Sequence, residues 1–397
     1  MATLFTNARV ILSPEQGIVS GSLLVDDGVI RSIVPAGEEV SISSVRQTIN
    51  CDGDFIAPGL IDIHCHGALG RDAMEATSEA FARILNYHGS RGTTTALLTT
   101  VASSLPEMLA VLECAEEYGE GERNSFSRLA GIHLEGPYFS AHRRGAHRSQ
   151  MLRHPSQEET SRLLNHAPEI QRMTVAPELP GVPELIRELV SHGIAASAGH
   201  SNATDEEALA GFNAGITQVT HLHNAMSSLR KTAPNTRRGL AEAALETPGV
   251  VCELIADGIH VSPELLREAW LAKGWEEIAL VSDATAGAGL GEGESFDLGG
   301  LPCYVKNGAA WTGEGSDRCL AGSTSTLFEG VRTMVALVGV PLEEAVAMAT
   351  LVPAKALGLD QELGSLASGK IANLIRFNDR WQLKGVWIGG LQQQSPL

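Results

Sequence analysis

Eight short apolar runs, each ending on a polar residue able to do chemistry, constrain this chain more than any other feature. In order they span 60–67 (LIDIHCHG), 94–100, 129–136 (LAGIHLEG), 172–178 (RMTVAPE), 194–200 (IAASAGH), 218–224 (QVTHLHN), 250–260 (VVCELIADGIH) and 278–285 (IALVSDAT). Buried parallel strands read as short apolar runs rather than clean alternation. The stretches between them carry helix signals. Thr204 with Glu207 fits a capping box, and Pro183 opens ELIRELVSHG with Gly193 as its stop. Strand and helix alternating eight times predict an α/β fold, a closed (β/α)8 TIM barrel. Catalytic groups of such barrels sit where strands end, and these ends carry His, Glu, His, His, His and Asp.

A barrel needs roughly 250 residues, and the chain has 397. Residues before Pro58 (LFTNARVIL, GSLLVDDGVIRSIVP, VRQTINCDG) are short alternating strands broken by Gly, Asp, Asn and Pro, and 364–390 read the same way. The simplest arrangement is one small β-sandwich built from both termini, with two unrelated decorations as the alternative. The expected division is 1–57 for the first sandwich part, 58–350 for the barrel and 351–397 for the second part. Pro341 opens the helix expected to close the barrel, 342–349.

The net charge is −18, which argues against nucleic acid or an anionic membrane as partner. A phosphorylated small molecule stays possible, because a local pocket can oppose the global sign. Six scattered cysteines without a C-x-x-C pair read as reduced, and no signal peptide or membrane span is evident, so a cytoplasmic location is expected.

Strand period two puts Asp62, His64 and His66 on one face of the first run. His133 and Glu135 share a face of the third. A carboxylate on a buried strand is costly unless paired, so Glu135 implies a cation. His200 ends the fifth run, His221 lies near the end of the sixth, and Asp283 ends the eighth, where it can touch an ion and reach a water. Singly, each of these reads as a structural residue. Jointly they form a divalent-metal set, zinc first and iron, cobalt or manganese as alternatives, with one or two ions. His260 can polarise a carbonyl or bind a hydroxyl, with a buried structural histidine as the rival reading. Asn224 and Ala225 open a loop whose N–H groups can hold an anion. Arg237 and Arg238 follow it and can pair with a phosphate, or be merely solvated. His147 lies on the loop after the third strand. Glu178 has no assigned role beyond a buried carboxylate, and His223 none.

The motifs PGLIDIHCHG, HLEGPY, GAH, APE, GHS, THLHNAM, DGIH, SDAT and LAGS, in this order, closely resemble the N-acetylglucosamine-6-phosphate deacetylase family of the amidohydrolase superfamily. The resemblance runs over nearly the whole chain. It implies hydrolysis of the N-acetyl group of a phosphorylated amino sugar, N-acetylglucosamine 6-phosphate first and its galactosamine counterpart second, by a homodimer. It implies Glu135, His200 and His221 as ligands of the main ion and His64 and His66 as ligands of a second. Asp283 is implied as catalytic acid and base, and His260 as the residue that polarises the carbonyl. Asn224, Ala225 and His147 match sugar-phosphate contacts. The family's phosphate arginine comes from the neighbouring subunit. Here its stretch reads NTRRGL, which leaves Arg237 or Arg238. A cyclic amidase or deaminase is the rival enzyme, although such enzymes more often use a carboxylated lysine on strand four, where this chain has APE. A non-catalytic scaffold would have lost ligands that this chain keeps.

Overall fold

A computed structural model of the chain describes residues 2–38, 45–120, 126–232, 234–313, 315 and 318–393. Eight parallel strands pair in chain order: β1 (Leu60–Cys65), β2 (Thr93–Thr99), β3 (Arg128–Glu135), β4 (Ile170–Val175), β5 (Ala195–Ala198), β6 (Ile216–Val219), β7 (Val251–Ile255) and β8 (Ile278–Val281). β1, β2 and β8 are buried along their whole length, as expected when helices cover one face and the barrel interior the other. The ring closes at its mouth. The Asp283 N–H donates to the His64 carbonyl (2.9 Å) and the His66 N–H to the Ala284 carbonyl (2.8 Å). Between β5 and β6 the helix Asp205–Ala214 starts on the Thr204–Glu207 capping box, and Pro183 lies in the first turn of Val182–Ser191.

The strands stop sooner than the apolar runs suggest. β6 ends at Val219, β7 at Ile255 and β8 at Val281, so His221, His260 and Asp283 stand on the turns that follow. His200, His221 and Asp283 take φ of 46°, 33° and 46°, in the left-handed region that costs a non-glycine residue about 1 kcal/mol or more. Asp62 also departs from simple alternation. A register shift between Asp62 and Cys65 in the β1–β2 pairing groups its carboxylate with Cys65 and His88 rather than with His64 and His66.

Both ends of the chain build one eight-stranded sheet, joined where Phe55–Pro58 pairs antiparallel with Leu374–Phe377. The long first strand, Ala2–Ser13, is bulged between Phe5 and Ala8. The sheet curls so that the Phe5 ring meets Trp387 edge-on at 5.0 Å, around a core that includes Val10, Leu23, Ile30, Ile56 and Leu374. A second antiparallel sheet of four strands (Ser295–Leu298, Leu301–Lys306, Ala309–Thr312, Cys319–Leu320) follows β8. Its apolar face packs on Val101 and Ala286 and roofs one side of the mouth. No helix among the described residues is long and apolar enough to cross a membrane.

His88, on the helix Ser78–Gly89 after β1, steadies the mouth from behind by donating its Nε2–H to the Gly67 carbonyl at 3.1 Å. Burial pushes its pKa down from 6.5 to about 4, with the Gly67 carbonyl offsetting part of the fall. The unfolded chain therefore binds the proton first. Stability from the neutral ring is present above pH 6.5 and is lost as pH falls toward 4, by on the order of 3 kcal/mol. His88→Gln is expected to flatten that part of the acid slope. Urea unfolding of both proteins between pH 6.5 and 4 measures it, and parallel curves would contradict it.

Candidate active site

The turns at the mouth bring together residues far apart in the chain. Glu135 Oε1 lies 3.2 Å from His200 Nε2 and 3.1 Å from His221 Nε2, and the two Nε2 atoms are 3.0 Å apart. Beside them, His64 Nε2 and His66 Nε2 are 3.2 Å apart and lie 3.4 and 3.2 Å from Asp283 Oδ1. Glu135 lies between the groups, with Oε1 3.6 Å from His64 and Oε2 3.5 Å from His66. All six residues are buried.

These atoms fit metal ions. His64 Nδ1 faces Glu253 Oε2 (3.0 Å), His66 Nδ1 the Thr99 carbonyl (3.1 Å) and His200 Nδ1 the Arg143 carbonyl (2.9 Å). Those oxygens only accept, so Nδ1 carries the proton and each neutral ring turns an Nε2 lone pair to the centre. Lone pairs and carboxylate oxygens crowded this closely repel unless a cation lies among them. Zn–N bonds of about 2.0–2.1 Å make a tetrahedral edge of roughly 3.3 Å, close to the observed spacing.

The electrostatics agree. Burial alone would raise the Glu135 carboxyl, but His64, His147 and His200 hold it well below the usual carboxylate range. Asp283 is likewise brought to about 2, since His64 and His66 more than offset burial. At His64 and His66 burial disfavours the imidazolium, but Asp283 and Glu135 outweigh it and draw positive charge to these two rings, a charge that a metal ion would supply in place of the proton. At His200 and His221 burial wins and the rings stay neutral, the form that binds a metal.

The mouth opens into a cavity of about 240 Å³ lined by His66, Glu135, His147, His200, His221, Asn224, Ala225, His260 and Asp283, with Leu298, Cys319 and Leu320 from the roofing sheet. His147 Nδ1 accepts the Ala102 N–H (3.1 Å), so its Nε2–H points to Glu135 Oε2 at 3.3 Å. His260 Nδ1 lies 2.7 Å from Asp257 Oδ2, and its Nε2 is buried without a protein partner. Burial lowers the His260 pKa and Asp257 more than compensates, so the net shift is upward and favours an Nε2–H donor facing the cavity.

Other expected residues stand elsewhere. Arg237 lies on the exposed hairpin Arg230–Thr232 and Asn235–Arg237 and lines a separate surface pocket. Arg238 is engaged by Asp205 at 3.1 Å and by Glu246. Within one chain, no lysine or arginine among the described residues lines the cavity. Glu178 is structural. It accepts from Ser201 Oγ (2.7 Å) and the Asn202 N–H (2.6 Å), fastening the loop after His200. His223 does not line the cavity.

A model of the amidohydrolase family matches residues 55–392. The chain belongs to the amidohydrolase family. The N-acetylglucosamine-6-phosphate deacetylase of Vibrio furnissii is 34% identical to this amidohydrolase over 337 residues, 84% of this chain and 82% of that one. The N-acetylgalactosamine-6-phosphate deacetylase of Escherichia coli is 32% identical over 385 residues, 96% and 97% of the two chains. The crystal structure of N-acetylglucosamine-6-phosphate deacetylase from Pasteurella multocida superposes with a TM-score of 0.91 at 32% identity, covering 99% of this chain and 100% of that one.

The sequence reading passed over three parts of this amidohydrolase's site. Arg172 and Glu253 form a buried ion pair beneath the ligands, and a charged residue inside an otherwise apolar run was their signal. Asp257, beside His260, was visible in ADGIH. The roofing sheet announced itself at Asn307-Gly308, where both residues have positive φ and flanking alternation marks a hairpin.

Proposed function

We propose that the protein is a divalent-metal-dependent deacetylase that hydrolyses the acetamide of a 6-phosphorylated N-acetyl amino sugar, giving acetate and the free amine. The observation that carries this reading is the convergence of two ligand groups, Asp283 and the Nε2 of His260 on one cavity. The names of its relatives supply the substrate class. Glu135, His200 and His221 would hold one ion and His64, His66 and Asp283 a second. Zinc suits this imidazole-rich set best, with iron, cobalt and manganese next. An ion there lowers the pKa of water toward roughly 7 and polarises a carbonyl oxygen.

Asp283 takes a proton from the attacking water as its oxygen bonds to the acetyl carbon. The His260 Nε2–H donates to the carbonyl oxygen as that oxygen gains charge, a contribution of about 3–4 kcal/mol for one good donor. The C–N bond then breaks, and Asp283 returns its proton to the amine nitrogen. His147 orients Glu135 and borders the substrate with Asn224 and Ala225. Among the described residues no lysine or arginine of the same chain lines the cavity, which fits a homodimer whose second subunit brings Arg237 or Arg238 to the phosphate. Six free cysteines, five of them buried, suit the reducing cytoplasm.

Relatives of equal identity carry gluco and galacto names, so the galactosamine 6-phosphate remains the second reading. Acetate release from N-acetylglucosamine and N-acetylgalactosamine, each with and without the 6-phosphate, tests both. The phosphorylated sugars are expected to react far faster than their unphosphorylated forms. No release from either 6-phosphate would overturn the proposal.

A further inference from the structure

Below the two ligand groups lies a charged pair that belongs to neither. Glu253, on β7, is fully buried, and Arg172, on β4, is 1% exposed. Glu253 Oε1 is paired with the Arg172 guanidinium. Its Oε2 does two things. It takes the Nδ1–H of His64 at 3.0 Å and the backbone N–H of His221 at 3.1 Å. One carboxylate oxygen thus bonds to a residue of each ligand group.

The pair is itself held. Arg172 Nη2 donates to Ser197 Oγ at 2.9 Å, Ser197 Oγ lies 2.6 Å from Thr220 Oγ1, and Thr220 Oγ1 lies 2.7 Å from Thr174 Oγ1. Thr174 Oγ1 meets His133 Nε2 at 2.7 Å, and the His133 ring stands edge-on to His64 at 4.6 Å. The chain of contacts leaves Glu253 and comes back to His64 from a second side. Five barrel strands, β1, β3, β4, β5 and β7, contribute to it, with Thr220 just past the end of β6.

Burying an ion pair is weak evidence for stability, because well-packed apolar side chains in its place are often as stable. What the pair does supply is direction. Arg172 neutralises Glu253, so the pair adds no net charge and leaves Glu135 and Asp283 to attract cations. With Nδ1–H fixed on Glu253, His64 has one tautomer and one ring orientation, Nε2 toward Asp283 and His66. Partners of this kind, acting behind a metal-binding histidine, typically change metal affinity by roughly 10–100-fold.

We propose that Glu253, neutralised by Arg172, is the positioning residue that makes His64 a metal ligand and ties it to the turn carrying His221, so that binding of the second ion depends on a side chain that touches neither ion. This rests on the metal reading given above, and the experiment separates the two. Zinc per chain and zinc affinity are measured on metal-stripped, reloaded wild-type protein, Glu253→Gln, His64→Ala and the combined variant, with the visible spectrum of the cobalt-loaded forms as a second readout. Wild type is expected to hold two ions and His64→Ala one. Glu253→Gln is expected to bind its second ion roughly 10–100-fold more weakly and to lose the cobalt signature of that site. In the His64→Ala background it should remove nothing further. Wild-type affinity for both ions in Glu253→Gln would overturn the inference, whereas a wild type that binds no ion would overturn the metal reading itself. Where the uncompensated arginine keeps Glu253→Gln from folding, Arg172→Met/Glu253→Gln removes that charge and must show the same weakened second ion.

Discussion

Glu135→Gln is expected to empty both ligand groups and abolish turnover. No other residue meets so many of the site's nitrogens. Its Oε1 lies within 3.2 Å of two Nε2 atoms, and its Oε2 faces His66 and His147. Glutamine keeps the shape and removes the charge. Its amide would replace one oxygen with a donor, and neutral imidazoles beside a neutral amide can hydrogen-bond without any cation. The repulsion that calls for a metal would disappear with the carboxylate. Acetate release is expected to fall by on the order of 10³-fold or more, since both the ionised water and carbonyl polarisation go with the metal. Mass-spectrometric metal analysis and the acetate assay on one sample check this. Chelating the wild type should give the same phenotype, but added zinc should restore only the wild type. A Glu135→Gln protein with wild-type metal content would show that the ions, if bound, are held elsewhere.

The variant should remain folded, because the fold was built from other residues. The eight apolar runs named the barrel strands closely, β1 and β8 starting on the residues where their runs begin. Short buried runs leave little choice of structure once helices alternate with them. The ligand set was legible for a related reason. A charged or imidazole side chain that ends a buried run has few places to go but the mouth. What escaped was non-local or conformational. Arg172 and Glu253 lie 81 positions apart, and no local pattern pairs them. The left-handed φ at His200, His221 and Asp283 is imposed by the mouth, where a side chain must turn back over the barrel once its strand has stopped. Propensity read along the run extends the strand through those residues instead. Asp62 shows the same limit, because a register shift defeats alternation.

That backbone geometry bears on the second large expected effect, the loss of turnover in Asp283→Asn. The left-handed turn places Asp283 Oδ1 3.2 Å from His66 Nε2, and the Ser323 N–H donates to the Asp283 carbonyl at 2.7 Å. Asparagine tolerates this φ as well as aspartate does, so the turn should survive. The Glu135, His200 and His221 group does not include Asp283 and should keep its ion. The change is chemical: an amide cannot take a proton from water near neutral pH. General acid–base groups contribute typically 10²–10⁴-fold. Asp283 is proposed to serve twice, taking the proton from water and returning it to the departing amine, so the fall in kcat should lie toward the upper end. KM should move much less, because sugar and phosphate contacts belong to other residues. Metal content measured beside kcat separates this from a lost ligand. A drop in turnover that zinc restores would make Asp283 chiefly a ligand, and near wild-type kcat would remove it from proton transfer. Both ligand groups full and turnover still low is the outcome that only a proton carrier explains.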